Sequence, residues 1–133
     1  MLTEINHITW NVRDVDEAFD FYVNLLGFTP IMKSPRSAYF TLGGLWLAVV
    51  LGGARNDDRY DHIAFGIAPK NFSHFTEKLK MHGVTSWQEN VSAGNSFYFL
   101  DPSGNKFEVH AADLRARIQH GKAHWDKDVT WYV

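Results

Sequence analysis

Two histidines and one glutamate are the residues of this sequence best suited to chemistry. His7 lies in Asn6-His7-Ile8-Thr9-Trp10-Asn11-Val12 and His62 in Asp61-His62-Ile63-Ala64-Phe65-Gly66-Ile67, which align at an offset of 55 (62 minus 7). Each segment reads as a strand. If the two halves pair by pseudo-twofold symmetry, equivalent side chains face each other, and His7 and His62 become candidate ligands of one ion. Glu108 is the natural third ligand, because strand alternation sends its neighbours Phe107 and Val109 to the opposite face. A carboxylate among apolar residues is costly to bury unless it is paired or bound to a cation. His110 shares the Glu108 face, as an alternative ligand or as a partner that orients one. His74, His82, His120 and His124 read as ordinary core or surface histidines.

Mixed imidazole and carboxylate ligation with open positions suits Mn2+, Fe2+, Ni2+ or Zn2+ rather than a soft metal or Ca2+. Open positions imply Lewis-acid catalysis. The symmetric counterpart of Glu108 falls near Ala48, and nothing from Leu45 to Leu51 can bind a metal. Three protein ligands therefore leave room for a bidentate substrate.

The elements that must hold these residues also repeat. Phe19 to Gly27 resembles Phe75 to Gly83 at an offset of 56, and each segment ends on a glycine of the kind that stops helices. Val15, Phe19, Tyr22, Val23 and Leu26 form one apolar stripe at helical spacing; Phe72, Phe75 and Leu79, with His82 next in register, repeat it. β-like runs follow at Tyr39 to Leu42, Leu45 to Leu51, Thr85 to Glu89, Ser96 to Leu100 and Lys106 to His110. Gly43-Gly44 and Asp101-Pro102-Ser103-Gly104 supply hairpin turns. A last helix is expected near Ala112 to His120. The fold class is therefore α+β, with two βαβββ repeats at about 1–51 and 60–111, followed by a helix and tail over 112–133. Gly52 to Arg59 reads as the connection between halves of a single domain, 1–133.

Composition excludes several function classes. At 133 residues, 45% apolar and 21% charged, the chain is an ordinary globular domain. A net charge of -2 and the lack of any Lys/Arg run argue against nucleic-acid binding. With no cysteine, disulfides and thiol catalysis by the protein are both excluded. No apolar run is long enough for a signal peptide or membrane span, so the expectation is a cytoplasmic protein without membrane contact. The 15% aromatic content fits a packed core, a dimer interface or a small-ligand pocket equally well.

Several segments resemble the fosfomycin-resistance thiol transferases, the glutathione-dependent branch of the vicinal-oxygen-chelate (glyoxalase) superfamily. They are Leu2 to Thr9, Ala38-Tyr39, Leu42 to Trp46 and Tyr60 to Ile67. More specific are Ser92 to Gly104, Glu108, and Asp113-Leu114-Arg115-Ala116-Arg117. The resemblance implies an enzyme that adds glutathione to the oxirane of fosfomycin, with Mn2+ as the metal (Zn2+, Ni2+ or Fe2+ as alternatives) and K+ as activator. It also implies a domain-swapped homodimer whose sites are shared between chains. The family's metal ligands fall on His7, His62 and Glu108, in agreement with the reading above. Its substrate contacts match Thr9, Trp46, Ser96, Tyr98 and Arg117, a further contact falls on the position of Gln88, and Thr9 and Tyr39 take catalytic positions, Tyr39 near the thiol. The K+ loop would run from Asn90 to Ser96, with Asn90, Ser92, Gly94 and Ser96 as its residues.

The chain departs from that pattern at three places. Gln88 and Val91 stand where the family has lysine and arginine, and Ala93 where it has an acidic residue. The region expected to hold an anion thus loses two positive charges and one negative, which predicts weaker binding of a dianion and a shifted thiol preference. Lys33 and Arg36 are the candidates to compensate. The superfamily's epoxide hydrolases carry their glutamate base where this chain has Gly44, which disfavours water addition. The remaining alternatives are another substrate for the same machinery and a sequestering protein that binds a small ligand without metal or turnover.

Overall fold

The computed structural model describes residues 1–92 and 94–133. Each half of the sequence builds one four-stranded sheet. The first holds β1 (His7–Val12), β2 (Thr29–Lys33), β3 (Ser37–Leu42) and β4 (Leu45–Leu51) in the order β1-β4-β3-β2. β1 runs parallel to β4, and β3 lies antiparallel to both β2 and β4. The second holds β5 (Ile63–Gly66), β6 (Ser86–Gln88), β7 (Ser96–Leu100) and β8 (Lys106–His110) in the equivalent order β5-β8-β7-β6, again with its first strand parallel to its last. The duplicated βαβββ architecture is that expected from the sequence. The chain divides into two compact units, Met1–Asp61 with Leu100–Lys106, and His62–Phe99 with Phe107–Val133.

In the first unit, α1 (Val15–Asp20) starts at Asp14, whose side chain accepts the backbone N–H of Glu17 at 2.8 Å and so satisfies a donor the helix leaves free. The helix then widens into a π-turn over Phe21–Leu25. Leu26 N–H bonds to Phe21 O at 3.1 Å, one residue further back than an α-helix allows. That extra residue rotates the apolar face. Val15, Ala18, Phe21, Tyr22 and Leu25 are buried, whereas Phe19, Val23 and Leu26 of the expected stripe are only half-buried. Alternation along the sheet sends Ala38, Phe40, Leu47 and Val49 into the core. Gly43 and Gly44, at φ 56° and 83°, turn β3 into β4 with both residues left-handed, as a two-residue type I′ hairpin requires.

Two elements differ from expectation. β2 was not among the runs read from the sequence; it is an edge strand with Pro30, an irregular register between Pro30 and Met32, and an exposed Ile31, so it lacks the usual alternation. α3 (Leu114–His124) starts two residues later and ends four later than expected. Asp113 caps it by accepting the Ala116 N–H at 2.9 Å. It runs past Gly121 because a Cβ there would lie 2.7 Å from the Trp125 and Trp131 rings, and glycine lets both pack against the helix. α2 (Phe72–Met81) buries Leu79 and Thr76 in the second unit.

A buried polar knot ties the 100–106 turn into the first unit. Asp101 accepts the backbone N–H groups of Ser103 and Asn105 at 2.9 and 2.7 Å, the Asn105 amide at 2.9 Å, and the hydroxyl of Tyr22. Tyr22 in turn accepts Trp10 Nε1–H at 2.8 Å. Burial raises the Asp101 carboxyl above the usual range, and burial together with the Asp101 charge pushes the Tyr22 phenol well above 10.0. An unfolded tyrosine loses its proton near pH 10 while folded Tyr22 keeps its own, so this contribution to stability is complete below pH 10 and is lost as pH rises beyond it. Tyr22→Phe is expected to flatten that alkaline loss in denaturant midpoints. At neutral pH it should cost about 1–3 kcal/mol by orphaning its partners.

Candidate metal centre

The first unit presents its predicted site residues on the face of the sheet opposite the core. His7, Thr9 and Asn11 alternate along exposed β1, and the register sets His7 beside Trp46 and Thr9 beside Ala48. Tyr39 of β3 is also level with Ala48, so His7, Thr9, Tyr39 and Trp46 share one surface. The His7 ring stacks on Trp46 at 4.2 Å and its Nδ1 bonds to Asn6 Oδ1 at 2.8 Å; Tyr39 meets Trp46 edge-on at 5.1 Å. Trp46 Nε1–H is buried and has no hydrogen-bond partner among the described residues. An orphaned buried donor on a ligand-like face suits an acceptor oxygen brought by a bound molecule. Thr9 and Asn11 also line a polar cleft of about 500 Å³ with Arg55, Asp57, Arg59, Asp61 and Asn105. Lys33 is held by Asp16 at 2.9 Å.

In the second unit, Glu108 is 7% exposed, between Phe107 at 1% and Val109 at 3%. His62 Nε2 lies 2.9 Å from Glu108 Oε1. Ser96 Oγ–H donates to Glu108 Oε2 at 2.6 Å and also meets His110 Nδ1, which is itself 3.3 Å from Oε2. The carboxylate is therefore aimed by two neighbours while one oxygen faces an imidazole nitrogen, a donor set that fits a divalent cation. His110 reaches the Glu108 carboxylate through Ser96. Gln88 pairs with Tyr98 across the β6–β7 ladder. Sequence reasoning missed Trp87: its Nε1–H donates to Phe107 O at 3.0 Å, and its ring meets both His62 and Tyr98 edge-on at 5.3 Å. The irregular register between Ser86 and Gln88 lets neighbouring residues both engage the sheet, and strand alternation alone does not signal it.

Arg117 stands half-buried in the second turn of α3. In the expected K+ loop, Asn90 Oδ1 accepts the backbone and hydroxyl hydrogens of Ser92 at 3.0 and 2.8 Å, Asn90 Nδ2 donates to Gly94 O at 2.9 Å, and Gly94 takes φ 83°. Ala93 lies outside the described residues.

A βαβββ unit present twice in one chain, each copy forming a four-stranded sheet of the same strand order, is the architecture of the glyoxalase class. Residues 4–109 match the family model described as Glyoxalase/Bleomycin resistance protein/Dioxygenase superfamily. The chain is 39% identical over 123 residues to the glutathione transferase FosA of Serratia marcescens, covering 89% of this chain and 87% of that one. It is 36% identical over 129 residues to the metallothiol transferase FosB of Staphylococcus saprophyticus, covering 92% and 85%. The crystal structure of a mutant of the fosfomycin resistance protein FosX of Listeria monocytogenes, complexed with Mn(II) and 1S,2S-dihydroxypropylphosphonic acid, superposes with a TM-score of 0.83. It is 30% identical and covers 93% of this chain and all of that one. The chain belongs to the glyoxalase/bleomycin resistance/dioxygenase superfamily and, within it, to the fosfomycin-resistance thiol transferases. Among the described residues no helix is long and apolar enough to cross a membrane.

Proposed function

We propose that the protein is a divalent-metal-dependent transferase that joins glutathione to fosfomycin or a similar small phosphonate epoxide. In this reading it is a homodimer whose site takes His7 from one chain and His62 and Glu108 from the other. The observation that carries the reading is the buried Glu108 carboxylate, oriented by Ser96 and set against His62 Nε2. β1 and β5 each end their own sheet, which leaves each a side for a neighbouring chain. Mn2+ is the first choice of metal, with Zn2+, Ni2+ or Fe2+ as alternatives, and K+ in the loop from Asn90 to Ser96 as activator.

When bound, the cation supplies Lewis acidity that draws charge from the epoxide oxygen. The thiolate sulfur bonds to one ring carbon, that carbon's bond to oxygen breaks, and the oxygen takes up a proton to become a hydroxyl. Thr9 offers a hydrogen bond to the oxygen as charge develops on it. Tyr39 lies on the same face to hold the thiol, and Trp46 presents its unpartnered Nε1–H to an acceptor oxygen. Ser96 and Tyr98 contact the phosphonate from the second sheet, and Arg117 offers it a planar fork of donors. Holding the reacting groups in line removes much of the entropic cost of bringing them together. Gly44 stands exposed at φ 83° in a tight turn. It supplies no carboxylate base for water, which favours thiol addition over the hydration suggested by the diol bound to FosX.

The deciding experiment is mass spectrometry of glutathione with fosfomycin, protein, Mn2+ and K+, beside a chelated control. A metal-dependent adduct supports the reading. Ligand binding unchanged by chelation and without adduct would replace it with sequestration, and stoichiometric metal without adduct would keep the machinery but change the substrate. Gln88→Lys restores a cation where the phosphonate is expected and should raise kcat/KM for fosfomycin about tenfold, chiefly through KM. An unchanged KM would show that another basic group already serves.

A further inference from the structure

The last two turns of α3 hold two histidines that the sequence left as ordinary core or surface residues. The rings of His120 and His124 stack with centroids 4.3 Å apart and planes 19° apart. His124 Nδ1 lies 3.0 Å from the carbonyl oxygen of His120 and donates to it, which leaves Nε2 as the nitrogen a metal would take. Ligating imidazoles are held in this way, with a backbone carbonyl on one ring nitrogen and the metal on the other. Residues four apart are neighbours on one helix face, and pairs at this spacing ligate zinc in other helices. Metal–nitrogen bonds of about 2.0–2.1 Å lie in the plane of each ring, so the two rings must turn out of their stack for both nitrogens to converge on one ion. His124 is exposed and His120 half-exposed, so side-chain rotation suffices.

The surroundings favour a cation as well. His124 is the last residue of α3, where free carbonyls give the helix end a partial negative charge. Lys122, the other cation of that turn, is drawn away: its Nζ donates to the Val133 carbonyl at 2.6 Å and lies over the Trp131 ring at 5.8 Å. We infer that His120 and His124 form a second metal site of this chain, a two-imidazole chelate for late divalent ions such as Cu2+, Ni2+ or Zn2+. It is independent of the His62–Glu108 centre and of the proposed activity. With two protein ligands, and water completing the shell, it binds more weakly than a three-ligand site, and it ties the last two turns of α3 together.

Copper titration of the full-length, Mn2+-loaded protein tests this, followed by calorimetry and by electron paramagnetic resonance, in which released Mn2+ would report displacement at the other centre. The expected result is two Cu2+ per chain, the first displacing Mn2+ at the stronger centre and the second, weaker one bound without further Mn2+ release, with hyperfine structure from two nitrogens. His120→Gln and His124→Gln should each weaken this binding at least about tenfold and leave basal turnover unchanged, while His82→Gln has no effect. A second Cu2+ whose binding survives either variant within that factor, a one-nitrogen spectrum for it, or no Cu2+ uptake beyond the amount of Mn2+ released would overturn the inference.

Discussion

Glu108→Gln is expected to lower turnover by roughly a thousandfold and to strip the purified protein of its divalent metal, with the fold retained. The substitution keeps the shape of the side chain. An amide oxygen still accepts the Ser96 hydroxyl, which now lies 2.6 Å from the carboxylate, and an amide nitrogen can donate to His62 Nε2. Packing between Phe107 and Val109 is undisturbed, so the stability change should stay within about 1 kcal/mol. The lost element is the negative charge, and a neutral amide is a poor ligand for a hard or borderline divalent ion. Metal content after dialysis, adduct formation and circular dichroism separate these effects. Retention of both metal and turnover would remove Glu108 from the ligand set.

The parts of this protein that were legible in its sequence are those under periodic constraint. The His7 and His62 segments announced β1 and β5 because both copies sit in the same register against the last strand of their sheet; Ile8 pairs with Leu47 as Ile63 pairs with Phe107. Glu108 was legible for a different reason: a carboxylate at an otherwise apolar strand position must be compensated. What escaped was aperiodic. The π-turn at Phe21–Leu25 shifts the buried face by one residue, which a stripe counted at three and four cannot show. β2 carries a proline and little alternation. Trp87 reaches His62 and Tyr98 from an irregular stretch. The His120–His124 pair showed only a spacing; its significance lies in ring stacking and in the carbonyl that takes one ring nitrogen. The orphaned Trp46 donor is likewise a fact of packing, invisible until neighbours are placed.

A site divided between chains makes a sharper demand than any single substitution. His7 belongs to the first unit, and His62 and Glu108 to the second. His7→Ala and Glu108→Gln homodimers should each be nearly inactive. If a site takes His7 from one chain and Glu108 from its partner, a mixed dimer holds one intact site and one site lacking both ligands. Random exchange makes half of the dimers mixed, so refolding the two variants together should restore about a quarter of wild-type activity, against about a thousandth for either alone. If each site came from a single chain, every site in every dimer would lack one ligand, and mixing would restore nothing. Size-exclusion chromatography with light scattering, run on the same mixture, would confirm that dimers are present, so that absent recovery counts against the shared site rather than against assembly. His7 stacked on Trp46 while His62 faces Glu108 is the arrangement that would let two chains complete each other.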